Sequence, residues 1–325
     1  MANRDSYVGF AVETAYGTYV EPTRSFEAEA DFAKRANQYL ERQGLRAGRQ
    51  TRRVAEVRTV ARGAAGSMPV TVMQTGFGML FNAMLDTAAT ETAAGATTAR
   101  LMTFASLQEF GVQSLSCQVV RGTPTDTQAY TYKGGTISGW ELTQSVDDYL
   151  KLSVDLDFAE EVTDEAAHTA TYPADADEFA WPDLAVTLGG SAIPVRELKI
   201  TAARGLNLEK YRLVGSAIKR QPVRVNDAEY TAEFTIDYEN EAAYDLFVSG
   251  DATALVCTWT GPTAIESTNI FSSLTVTFPE YQIRGDTPEA VLDSEQNAQP
   301  VSGIALYGDT SSAIIVEYVT LDQSY

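Results

Sequence analysis

The sequence predicts a mainly β protein built from two similar halves, each running a strand into a short helix and each carrying a basic window. Three observations carry that reading: period-two alternation, an internal match between the halves, and a matching pair of basic windows. Leu150, Leu152, Val154, Leu156 and Phe158 alternate with Lys151, Ser153, Asp155 and Asp157, so every second side chain falls on one face of a strand. The same alternation passes through Phe234, Ile236 and Tyr238, and again through Ile314, Val316 and Tyr318. Helical patterning is confined to two short segments, about Thr75–Leu85 and about Glu239–Val248.

The internal match comes in two blocks. At an offset of 166, Met68, Val70 and Val72 fall on Phe234, Ile236 and Tyr238, and Leu80 and Phe81 fall on Leu246 and Phe247. At an offset of 164, Ser138, Gly139 and Leu142 fall on Ser302, Gly303 and Leu306, and Leu150, Leu152 and Val154 on Ile314, Val316 and Tyr318. Charge repeats as well: nine Lys and Arg lie between Lys34 and Arg62, and eight between Arg196 and Arg224, a displacement of 162. The boundaries expected from this are an N-terminal arm at 1–24, a first domain at 25–160, an acidic linker at 161–183 and a second domain at 184–325. The linker assignment rests on a stretch rich in acids, Ala and Thr.

Composition narrows the function classes. With 325 residues, 44% hydrophobic and 21% charged, the chain can bury two cores. A net charge of −20 disfavours a protein that grips phosphates. Cys117 and Cys257 sit in apolar runs without metal-type spacing and read as small buried hydrophobes. The single histidine, His168, falls in the acidic linker and reads as a solvated loop residue, which leaves no basis for a histidine triad or a multi-histidine metal site. Carboxylate pairs such as Asp147-Asp148 and Glu160-Glu161 are numerous, but none is singled out, so they read as solvated surface charge. Gly76-Phe-Gly78 and Gly134-Gly135 complete no phosphate-binding motif. No catalytic residue, cofactor or metal is therefore expected. No stretch reaches the roughly 18 apolar residues of a membrane span, and the first residues lack a signal-type apolar segment, so assembly in a cytoplasm is expected.

The two basic windows contrast with an otherwise acidic chain. That division suits head-to-tail association of the chain with itself better than a solvated loop or a nucleic-acid arm. The candidates for contacts between subunits and rings are Arg42, Arg46, Arg49, Arg52, Arg53, Lys210, Arg212, Lys219 and Arg220.

Gly9-Phe-Ala-Val-Glu-Thr-Ala-Tyr-Gly-Thr, followed by Glu21-Pro-Thr-Arg24, resembles the start of major tail tube proteins of long-tailed, siphovirus-type bacteriophages. Tyr130-Thr-Tyr-Lys-Gly-Gly-Thr-Ile-Ser-Gly139, with Leu142 and Thr143, and Leu274-Thr-Val-Thr-Phe-Pro279 carry the resemblance along the chain. It implies a non-enzymatic virion protein of two tandem tail-tube-type β-sandwich domains, each with a short helix and a long basic loop between two strands, whose inner sheets pair edge to edge into a barrel, in rings that stack through the long loops. It also implies, as partners, further copies of the chain, the tape measure, terminator and distal tail proteins, and genomic DNA in transit without sequence-specific binding. Location in the virion tail, after assembly in the host cytoplasm and with no membrane partner, follows from the same likeness.

If each domain supplies four inner strands, three chains give 24. At ~4.8 Å spacing and ~40° tilt the circumference is roughly 150 Å and the backbone diameter roughly 48 Å. About 5 Å of side chain on each wall leaves roughly 38 Å, enough for one duplex. A trimeric, pseudo-sixfold ring is therefore expected; the alternative is a hexamer with one domain of each chain outside. An acidic lumen would repel phosphates, and Asp155 and Asp157 are its candidates. The competing reading is a surface or secreted β-sandwich binding module, of adhesin or glycan-binding type.

Overall fold

The alternating stretches become the strands of a long antiparallel sheet that runs through both halves. The computed structural model describes residues 6–29, 31–42, 51, 53–87, 89–95, 97–106, 113–123, 125–173, 177–213, 215–238, 241–286, 297–308 and 311–322. The first half holds β1 (Tyr7–Val12), β2 (Arg24–Phe26), β3 (Lys34–Glu41), β4 (Val57–Thr71), α1 (Gly78–Leu85), β5 (Thr90–Ala93), β6 (Arg100–Ala105), β7 (Leu115–Gly122), β8 (Thr127–Ser145), β9 (Lys151–Phe158) and β10 (Glu160–Val162). The second holds β11 (Leu184–Leu188), β12 (Ser191–Ile193), β13 (Val195–Ala203), β14 (Leu206–Asn207), β15 (Val223–Arg224), β16 (Glu229–Asp237), α2 (Ala242–Ser249), β17 (Ala252–Ala264), β18 (Phe271–Asp286), β19 (Ala298–Leu306) and β20 (Ile315–Thr320).

Eight strands lie side by side in the order β3-β4-β9-β8-β13-β16-β19-β18, each antiparallel to its neighbours. One flanking sheet, β2-β1-β7-β8-β10, belongs to the first half. The other, β12-β11-β17-β18-β20-β6-β5, belongs to the second half but ends in two strands from the first. The long strands β8 and β18 each pass from a flank into the eight-strand sheet. Between sheet and flank lies the core, where Met68, Val70, Trp140, Leu142, Leu152, Val154 and Leu156 from one side of the sheet are all buried. Burying each such side chain contributes about 1.5–3 kcal/mol, and alternation forces the neighbours onto the other face.

The second half repeats the pairing order of the first: β13 stands for β3, β16 for β4, β17 for β7, β18 for β8, β19 for β9 and β20 for β10. Even an irregularity recurs. The ladder shifts between Ile137 and Gly139 where β8 meets β9, and between Ile283 and Gly285 where β18 meets β19. Met68 opposite Val154 matches Phe234 opposite Val301, which agrees with the first block of the internal match. The second block does not survive: β8 and β9 correspond to β18 and β19, not to β19 and β20. The offset falls from 166 to 146 (Ile137 to Ile283) because the β5–β6 hairpin follows α1 and has no counterpart after α2.

Three further expectations change. Tyr7–Val12, placed in an arm, is a strand paired with Cys117 and its neighbours in β7. The acidic segment after β10 packs on the first half, with Phe179 fully buried and its N–H donating to the Val72 carbonyl at 3.2 Å. His168 within it is 3% exposed, not solvated. Its backbone N–H and its Nδ1 both lie 2.7 Å from Gln118 Oε1, and burial lowers its pKa below the ordinary value. Cys117 and Cys257 are buried free thiols, as their apolar surroundings imply, and burial pushes the Cys257 thiol up to about 12.

Candidate assembly surfaces

The face of the eight-strand sheet turned away from the core is polar. Ser67, Ser153 and Asp155 lie on it, and the Ser67 and Ser153 hydroxyls hydrogen-bond at 2.8 Å. Further along, Glu141, Thr143, Glu197, Lys199, Glu233 and Thr235 continue the row. A hollow of about 640 Å³, lined by Thr143, Glu197, Lys199, Glu233, Thr235 and Ser302, makes this face concave where the two halves meet. Asp155 is exposed there. Asp157, expected beside it, is only 5% exposed: Lys219 Nζ lies 2.7 Å from its carboxylate and the loop carrying Lys219 covers it. Burial raises the Asp157 carboxyl, with Lys219 pulling against it. Burial likewise draws the Lys219 ammonium down, but the hydrogen bond it donates to Asp157, together with the negative charges of Asp157 and Glu209, leaves the net shift upward.

The halves are joined edge to edge. Residues Glu197 to Ala203 of β13 pair with Ser145 to Gly139 of β8, and Lys199 reaches Glu141 across the seam at 2.8 Å. Arg204, directly after β13, is 1% exposed and donates from Nη1 to the carbonyls of Ile137 (2.7 Å) and Ala83 (3.1 Å). It also pairs with Asp86, which ends α1 in a left-handed conformation. Burial pushes the guanidinium down to about 10, so it stays charged at neutral pH. The outer edges of the sheet are open among the described residues: β3, exposed along its whole length, and the last part of β18. An open edge is a template for another strand.

The basic loops, between β3 and β4 and between β13 and β16, leave the same end of the sheet. Arg42 and Arg53 are exposed; Arg46, Arg49 and Arg52 lie outside the described residues. Arg212, Leu213 and Arg220 are exposed, and Lys210 Nζ donates to the Gln221 carbonyl at 3.1 Å. Lys219 differs from these candidates in being buried and ion-paired within the chain, where it binds Asp157 and Glu209. Its loop lies along β4, with Arg62 N–H donating to the Ala217 carbonyl at 3.1 Å. At the opposite end the turn between β8 and β9 exposes Val146 and Tyr149 beside Trp181, with Asp147, Asp148 and Asp183 around them. One end is therefore basic and the other acidic and aromatic.

A profile of the family described as phage tail tube protein matches residues 3–303. The chain belongs to that family. It is a structural protein of the phage tail tube, as the early sequence motifs implied, and self-association and contacts with other tail proteins go with that role. A comparison with curated proteins finds no match. Among the described residues no helix of this tail tube protein is long and apolar enough to cross a membrane. The buried position of Arg204 and the exposure of helix α2 are features that sequence reasoning missed; the only signal for Arg204 was its place directly after a strand that starts a basic loop.

Proposed function

We propose that the two halves are tandem tube domains and that three chains close a ring whose stacked copies conduct the genome during ejection. The observation that carries this reading is the eight-strand sheet, which already contains one edge-to-edge seam and offers two open edges. Eight antiparallel strands place the edge strands β3 and β18 in opposite directions. Rotation about a barrel axis then brings β18 of one copy against β3 of the next as an antiparallel pair, as β8 meets β13. Three times eight strands gives the 24-strand barrel of roughly 38 Å bore expected above. Its lumen is the polar concave face, on which Asp155, Glu141, Glu197 and Glu233 outnumber Lys151 and Lys199, so DNA slides past without being held.

Rings stack with the basic end of one on the acidic, aromatic end of the next. The tape measure, terminator and distal tail proteins are the other partners of such a tube. Reversing Arg49, Arg52 and Arg53 to Glu is expected to leave a folded chain that forms no tubes in negative-stain microscopy. Cryo-electron microscopy of wild-type tubes tests the stoichiometry: a sixfold axis relating identical chains would replace the trimer by a hexamer.

A further inference from the structure

The two helices hold equivalent places in the repeat, yet every residue of α1 is buried while in α2 only Ala243 is. The difference has a local cause. Second-half residues roof α1: the Tyr318 ring of β20 stands edge-on to Phe81 at 5.3 Å, the Tyr318 hydroxyl donates to the Met73 carbonyl at 3.0 Å, and Arg204 closes the helix end. Asp322, just beyond β20, pairs with Arg24 at 3.1 Å. Helix α1 therefore lies inside the seam between halves. Helix α2 lies on the side where the chain ends in an open edge, and it leaves Val248 66% and Tyr244 39% exposed.

We infer that α2 is a lateral docking face, covered in the ring by the first half of a second copy as α1 is covered by the second half of its own chain. The inference rests on the tube reading and adds the surface that closes the ring. Charge selects the occupant. No Lys or Arg occurs between Arg224 and Arg284, so α2 and its flanks carry only acids, among them Glu241, Asp245 and Asp251. The edge strand brought against this side is β3, with Lys34 and Arg35 both exposed and Arg35 lying 3.7 Å from Glu161 of its own chain. A basic strand edge meeting an acidic helix with exposed aromatic and aliphatic side chains repeats the chemistry of the intrachain seam.

The test is assembly of the full chain carrying Tyr244→Ser with Val248→Asp, followed by sedimentation and negative-stain microscopy. Both positions are exposed, so the monomer should melt as wild type does while the concentration needed for rings rises roughly tenfold or more. In a second pair, Asp245→Arg with Asp251→Arg should block rings, and adding Lys34→Glu with Arg35→Glu should restore them. Rings and tubes at wild-type concentrations from both helix variants would overturn the inference alone. Rings that close normally but do not stack would move α2 to the axial contact and also overturn it. A wild-type chain that forms neither rings nor tubes would remove the tube reading itself.

Discussion

The first half of the chain is finished within the chain; the second is not. Both follow the same order of strands, and both run a strand into a helix of eight residues. After α1 the chain makes the β5–β6 hairpin, whose β6 pairs with β20 over six residues and clasps the second half. After α2 it runs through Gly250 directly into β17. The first helix is consequently sealed beneath β20 and Arg204, and the second stays half open. Repeating an order of strands does not repeat its environment. One insertion is enough to seal the first helix and leave its counterpart half open.

Breaking the sealed joint should cost most. Arg204→Leu strands Asp86 and two buried carbonyls, and the loss is expected to be about 3–5 kcal/mol, read as a shift in the urea midpoint. Next comes a matched pair. Leu80 is fully buried and Leu246, its counterpart, only partly so. Leu80→Ala should cost about 3 kcal/mol and Leu246→Ala about 1 in the unassembled chain; equal losses in thermal unfolding would erase the distinction between the halves. Lys219→Met should cost about 2 kcal/mol. That is less than for Arg204, because burial already favours the protonated form of Asp157 and the abandoned carboxyl can take up a proton.

The smallest effect is at His168. Burial lowers its pKa, so as pH falls below about 6.5 the unfolded chain takes up a proton that the folded chain refuses, and stability drops until the folded pKa is reached. Melting temperatures measured from pH 7 to pH 5 should show this slope, and His168→Asn should flatten it while costing about 1 kcal/mol at neutral pH.

Strands and helices were legible because their signals are local. Helices expected at about Thr75–Leu85 and Glu239–Val248 lie at Gly78–Leu85 and Ala242–Ser249. The first block of the internal match was legible because a strand running into a helix mixes two periods and so aligns in one way only. The second block misled because a period-two pattern fits any strand in steps of two, and Leu150, Leu152 and Val154 match β20 as well as β19. Asp157 shows another limit: alternation placed it correctly on the face away from the core, but Lys219 covers it from 62 positions along the chain. His168 is held by Gln118, 50 positions away, and Arg204 by Ala83 and Ile137. Composition windows describe a segment's average affinity for water, whereas burial of one polar side chain depends on partners that only the tertiary fold supplies.

The β5–β6 hairpin has a mechanical consequence. In the ring of three chains proposed above, clasped joints would alternate with unclasped ones, giving the wall three stiff hinges and three compliant ones. A tail that bends would open first along the compliant lines, 120° apart, and successive rings could share curvature by aligning them. Six identical single-domain subunits would offer no such preferred lines of flexure.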